Sequence, residues 1–187
     1  MNALPRRCTL WLLALLAACF GGPATAAALS QSIATQAPGM VASGQADLTG
    51  TLQLAVDLSD LDHRLFKVRE TIPVSTGTLK LFYPAWLPGN HAPRGPIEAL
   101  TGLTITGNGL RIEWTRDPLD VYAFNLTVPS GVNTLELGFE YASPMMKDQG
   151  RIVATPEIAG LQWNTVVLYP ANRNINDIPV AANVTLP

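Results

Sequence analysis

The chain has 187 residues, enough for one domain behind a leader, and 48% of it is hydrophobic. Charged residues make up only 14%, 12 basic and 14 acidic, giving a formal net charge of −2. With no basic stripe or Lys/Arg run, that balance argues against nucleic acid as a partner.

The first 26 residues read as a secretory signal. Arg6 and Arg7 supply a positive start, Leu10 to Ala18 a short apolar run, and Gly21-Gly22-Pro23 a helix break. Ala24-Thr25-Ala26 then offers small residues at a cleavage site after Ala26. The apolar run falls short of the ~20 residues a permanent membrane helix needs. A second processing route competes: Leu16-Ala17-Ala18-Cys19 has the form of a bacterial lipobox, which would leave Cys19 acylated and the protein membrane-anchored. Both routes predict export, to the periplasm or beyond, and the membrane is a partner only if Cys19 is lipidated. Cleavage after Ala26 removes two of the 12 basic residues, leaving ten against 14 acidic ones. It also removes both cysteines, Cys8 and Cys19, so the body has no disulfide and must rely on its apolar core. A body near 160 residues buries roughly 68–70% of its unfolded surface, which suffices.

Residues 27–46 are small and polar and predict a flexible leader. From Thr51 the pattern changes to a period of two. Leu52, Leu54, Val56 and Leu58 form one apolar set, and Phe66, Val68, Ile72 and Val74 a second. Leu79, Leu81 and Tyr83 follow, then Leu103 with Ile105, then Leu110, Ile112 and Trp114. Tyr122 to Val128 and Leu135 to Tyr141 complete seven. Alternation of this kind places one face inward and one outward on a strand. The breaks are turn chemistry: Ser75-Thr76-Gly77, Gly107-Asn108-Gly109 and Pro129-Ser130-Gly131. No stretch shows a helical period. The expectation is an all-β domain over 47–187, an antiparallel β-sandwich or saddle-like sheet of about seven or more strands.

Pro84 to Pro96 (PAWLPGNHAPRGP) carries four prolines and predicts an ordered loop, with Trp86 and Leu87 clamping it to the core or to a neighbouring domain. Ile178 to Pro187 alternates again and predicts a late edge strand, or the first strand of something that continues.

Catalytic chemistry has few candidates. The body holds two histidines, His63 beside Asp60 and Asp62, and His91 in the proline loop. A catalytic zinc needs three protein ligands and an open position, so these read as turn and loop residues. There is no Gly-x-Ser-x-Gly elbow, and Ser59, Asp62 and His63 lie within one turn, where a triad cannot converge. Thr106-Gly107-Asn108-Gly109 precedes no helix and reads as a hairpin turn, not a phosphate loop. Asn125-Leu126-Thr127 and Asn183-Val184-Thr185 match a glycosylation sequon and are discounted behind a leader of bacterial type.

Four longer pieces carry a family resemblance: DHRLFKVRETIPV (62–74), YPAWLPGNHAPRGPI (83–97), RDPLDVYAFNLTVP (116–129) and LQWNTVVLYPA (161–171). They resemble the N-terminal β-domain of the M61 zinc metallo-aminopeptidases, the glycyl aminopeptidases, from about Leu48 to Pro187. In that family a thermolysin-like zinc domain with a His-Glu-x-x-His helix and a PDZ domain follow. No His-Glu-x-x-His occurs here. The resemblance implies a non-catalytic domain, truncated at its C-terminus, that packs on a zinc domain of the same or a neighbouring polypeptide. It would wall one side of a cleft for short peptides with free N-termini, and the zinc would belong to the missing domain, with no cofactor in this chain. In the more distant M1 aminopeptidases an N-terminal β-domain lends a Gln or Glu to bind the substrate amine. By that analogy Gln162, or Asn164, is the candidate substrate-binding residue, since a carboxamide oxygen accepts from an ammonium.

The rival expectation is a free-standing periplasmic β-sandwich that binds peptide, glycan or protein, with Tyr83, Trp86 and Trp163 as contact residues or, alternatively, as core. A third is an inert product whose open sheet edge invites aggregation.

Overall fold

A computed structural model describes residues 44–145 and 153–187. The leader up to residue 43, with the cleavage sites and Cys19, lies outside the described residues.

Among the described residues, twelve strands fall into two principal sheets and one small ribbon. The strands are β1 (Leu52–Asp57), β2 (Leu65–Pro73), β3 (Gly77–Phe82), β4 (Leu100–Gly107), β5 (Leu110–Arg111) and β6 (Trp114–Arg116). After them come β7 (Ala123–Val128), β8 (Thr134–Ala142), β9 (Val153–Ala154), β10 (Ala159–Gly160), β11 (Tyr169–Pro170) and β12 (Val180–Thr185). The larger sheet runs β12-β1-β2-β8-β4-β5 and the smaller β11-β3-β7-β6, while β9 and β10 pair alone. The only helical pieces among the described residues are three single 3₁₀ turns, Ile97–Ala99, Trp163–Thr165 and Ile175–Asp177.

The period of two is the physical origin of this arrangement. Leu52, Leu54 and Val56 of β1, Phe66, Val68 and Ile72 of β2, and Leu135, Leu137, Phe139 and Tyr141 of β8 are all buried. Across the gap they meet Leu79 and Leu81 of β3 and Phe124, Leu126 and Val128 of β7. Fully burying each such side chain is worth about 1.5–3 kcal/mol. Phe66 stacks on Tyr141 at 6.1 Å between centroids, and Trp114 meets Phe124 edge-on at 5.4 Å. The expected all-β sandwich is the observed fold.

Details differ from the expectation in three places. The hairpin at Asn108-Gly109 forms, with both residues at positive φ, 52° and 76°, as a tight two-residue turn requires. Its second arm does not continue to Trp114. Only Leu110–Arg111 pairs with β4, Ile112 turns into the core, and Trp114 starts β6 in the other sheet. The apolar alternation persists through this switch because both sheets bury toward the same interior. The sheets are antiparallel throughout except that β12 lies parallel to β1, with Leu52 opposite Val180 and Asp57 opposite Thr185. A strand that returns after a long excursion through the smaller sheet is not bound to the antiparallel sense of a hairpin. Finally, Gln45 bridges Thr78 and Ala46 is fully buried, so packed structure starts just before the expected boundary at residue 47.

The Pro84–Pro96 segment is an irregular loop, as its prolines require. It is tied back on itself where Gly95 donates to the Ala85 carbonyl at 2.9 Å. A Cβ at Gly95 would collide with the Pro84 carbonyl, so only glycine fits this crossing. The Tyr122 hydroxyl donates to the Pro93 carbonyl at 3.0 Å and pins the loop to the start of β7.

Candidate functional site

One side of the sandwich is closed by loops and not by strands. There the proline loop, the 161–171 segment and the approach to β12 surround a cleft of about 600 Å³. Leu52 and Tyr83 form part of its floor, Phe82 and Tyr169 one wall, and Trp86 the rim. Trp86 is 65% exposed, so the proline loop presents this ring to solvent and does not bury it in the core. Polar groups are few: Asp120 and Asn164 face the cleft with Tyr122 beside them. Asp120 is fixed by accepting the Tyr122 N–H at 2.9 Å. An apolar hollow with a small number of fixed polar groups is the usual form of a binding site.

The 161–171 segment is shaped by buried hydrogen bonds. Thr165, itself fully buried, donates from Oγ1 to the Gln162 carbonyl at 2.7 Å and closes the 3₁₀ turn at Trp163–Thr165. Beneath it, the Tyr83 hydroxyl donates to the Thr165 carbonyl at 2.9 Å. From the other sheet, Glu70 Oε2 accepts the Leu168 N–H at 3.0 Å. The segment is thus held from both sheets at once.

Glu70 is the residue that the sequence reading passed over. It occupies an inward position of β2, between Val68 and Ile72, and is 1% exposed. Its second oxygen, Oε1, has no partner among the described residues. Burial pushes its carboxyl well above the ordinary carboxylate range, opposed only by the Leu168 N–H. A charged residue on the apolar phase of an alternating run was the legible sign. Burial likewise raises Tyr83, and raises Tyr141 to about 12. The inter-sheet space beneath the segment is therefore a weakly polar seam in an otherwise apolar core, one that disfavours charge.

The other expected residues separate clearly. Of the two carboxamides, Asn164 lines the cleft and Gln162 does not. Tyr83 is buried at 1% and serves the core, whereas Trp86 and Trp163, 65% and 41% exposed, remain available at the surface. His63 is exposed in the Leu61–Arg64 turn, where its Nδ1 lies 2.6 Å from Asp60 Oδ1. Its partner is Asp60 and not Asp62, and Lys67 reaches the same carboxylate at 3.3 Å. Those contacts, the His63 hydrogen bond first, hold the Asp60 carboxyl below its ordinary value. His91 is exposed in the proline loop. Among the described residues no three His, Cys, Asp or Glu side chains come together as metal ligands.

A second, more polar hollow of about 820 Å³ lies beside β6, lined in part by Lys80, Arg111, Glu113 and Asn125. Lys80 is engaged there with Asp117 at 2.8 Å, and Asn125 donates to the same carboxylate at 3.2 Å. This charge network holds the Asp117 carboxyl far below its ordinary value, the Lys80 hydrogen bond contributing most. Its charged groups are already paired, Lys80 with Asp117 and Arg111 with Glu113, and the loop-walled cleft is the candidate site.

Known proteins share the fold. An aminopeptidase N family protein from Idiomarina loihiensis has a similar fold, with a TM-score of 0.60 at 18% identity over 73% of this chain. An M1 zinc metallopeptidase from Deinococcus radiodurans, solved with a Tyr-Ser-Ala substrate, is aligned over 55% of the chain at 12% identity with a TM-score of 0.34. This chain covers 22% of the length of each of these proteins. No curated protein matches. A family model described as the Peptidase M61 N-terminal domain matches residues 53–187, and the chain belongs to that family.

Proposed function

We propose that this chain is the non-catalytic N-terminal domain of an exported M61-type zinc aminopeptidase. Its loop-walled cleft docks on a zinc domain, carried by the same or a neighbouring polypeptide, and forms one side of the substrate cleft. Short peptides with free N-termini are the substrates this arrangement serves. Asn164 is the residue best placed to accept a hydrogen bond from the substrate ammonium, with Gln162 two residues before it as the alternative carboxamide. The leader to Ala26 carries the export function, by cleavage there or by lipidation at Cys19. The zinc and its hydrolytic chemistry belong to the companion domain.

One observation carries this reading. One of the segments that resemble the family, 161–171, is anchored from both sheets and presents Asn164 at an apolar cleft rimmed by exposed Trp86. A surface tryptophan on a pinned loop is a large apolar contact held in place before a partner arrives.

The test is reconstitution. An M61-type zinc domain, produced as a separate polypeptide, is assayed on a tripeptide with a free N-terminus, with and without the full chain. The chain is expected to raise kcat/KM, and Asn164→Ala to raise KM by about tenfold, the loss of one hydrogen bond to a charged group. Equal activity with and without the chain would contradict the proposal.

A further inference from the structure

Glu70 sits where a firmly held strand meets a lightly tied one. On its own side it stands opposite Leu54 of β1 and Leu137 of β8, and β2 pairs with those strands over five and nine residue pairs. Across the gap lies the stretch from Leu161 to Leu168, which belongs to no strand. That stretch is held by the Leu168 N–H on Glu70 Oε2, by the Tyr83 hydroxyl on the Thr165 carbonyl, and by the burial of Thr165, Val166 and Leu168. If the seam between them yields, the wall moves and β2 stays.

The two protonation states of this carboxyl suit the closed seam unequally. With its proton, Glu70 accepts the Leu168 N–H on Oε2 and leaves one hydroxyl, on Oε1, without a partner among the described residues. Without it, a full charge is buried against a single donor, and water would solvate that charge far better. No cation offsets it. The inward side chains of β1, β3, β7 and β8 around it are apolar, apart from Tyr141 of β8 and Tyr83 just beyond β3, and burial raises both tyrosines. Asp57, Lys67, Arg69, Lys80, Glu136 and Glu140 occupy the opposite, outward phase of their strands. Glu98 is exposed on the 3₁₀ turn Ile97–Ala99 and raises the two tyrosines further. Residues 161–171 carry no charge, and Tyr169 there packs edge-on against Phe82 at the cleft.

We propose that Glu70 is a proton-operated latch on the cleft wall: holding its proton, it keeps the 161–168 stretch closed, and on losing it, it lets that stretch open while both sheets stay folded. The Glu70–Leu168 bond is the contact that both sides of the seam share, so the opening that brings water to the carboxylate also frees the Leu168 N–H. The proton passes to solvent as the seam opens. Asn164 and Val167 of the same stretch line the cleft, so its shape follows the protonation of a residue that does not line it. The latch concerns this chain alone and stands whether or not the cleft docks on a zinc domain.

Native-state hydrogen exchange on the full chain, followed from pH 4 to pH 9, tests it. Protection of the Thr165, Val166 and Leu168 amides, corrected for the intrinsic pH dependence of exchange, is expected to be fullest below pH 4.5. Above that it falls by about tenfold per pH unit until the raised folded value is passed, because the closed form retains a proton that the open form releases. These amides are expected to ignore low urea, whereas those of β8 respond to it, since only the latter need the sheets to unfold. Glu70→Gln keeps an acceptor for the Leu168 N–H and is expected to give the same protection at every pH. A parent profile flat in pH overturns the proposal, as do wall amides that respond to urea as β8 does. So does a Glu70→Gln profile that slopes like the parent's. The parent's pH and urea profiles decide the matter even where the variant fails to fold.

Discussion

The strand-built body and the loop-built wall of this domain are held by different forces. In the body, β2 and β8 pair over nine residues, and every inward side chain of β8 is apolar and buried. Stability there is spread over many ladder bonds and a continuous apolar layer. The wall has the two-residue pairing of β11 with β3, isolated backbone bonds such as Gly95 to Ala85 and Ala171 to Lys80, the buried Val166 and Leu168, and side-chain bonds to backbone from Glu70, Tyr83, Thr165 and Tyr122. Redundancy protects the body from any single weak contact. The wall is specific but has fewer redundant contacts than the body, so local opening is expected there first.

Substitutions sharpen this contrast, beginning with the body. Phe66→Ala removes a fully buried ring stacked on Tyr141 and is expected to cost about 3–5 kcal/mol, read as a shift of the denaturant midpoint. Next comes Glu70. Its folded carboxyl titrates above the ordinary value of 4.5, so the folded chain retains a proton that the unfolded chain has released. Its contribution to stability is fully present below pH 4.5 and is lost as pH rises from there toward the raised folded value, by about 1.4 kcal/mol per pH unit. Glu70→Gln keeps an acceptor for the Leu168 N–H and titrates no proton. Equilibrium unfolding at pH 4 and pH 8 is expected to show the variant near the parent at the first pH and more stable than it at the second. Tyr83→Phe deletes one buried hydrogen bond to the wall and is expected to cost about 1 kcal/mol globally. Its larger signature is faster hydrogen exchange confined to 162–168. Smallest is Arg173→Ala. Arg173 grips Asp47 through two 2.8 Å contacts, but the pair is solvated, and no measurable change in thermal midpoint is expected.

The body was legible in the sequence because alternation encodes a half-buried strand directly. Leu52 to Leu58 and Leu135 to Tyr141 are the plainest cases. The wall was legible only in part. Pro84 to Pro96 declared an irregular loop, but nothing local showed that Trp86 would face solvent or that Gly95 would cross beneath Pro84. Which of Gln162 and Asn164 lines the cleft depended on the 3₁₀ turn set by Thr165, a contact with no periodic trace. The parallel sense of β12 and the sheet switch after Ile112 depended on tertiary packing that a period of two does not encode. Glu70 was visible as an interruption of an apolar phase, and its role emerged only with the Leu168 N–H opposite it.

The cleft wall as a docking face is the claim on which the functional reading depends. Titration calorimetry of the full chain into an M61-type zinc domain tests it most directly, with Trp86→Ala in parallel. The account expects one-to-one binding, weakened at least about tenfold by Trp86→Ala, because an exposed aromatic anchor carries a large share of such an interface. Binding of equal strength for the parent and the Trp86→Ala chain would contradict it, as would no binding at all.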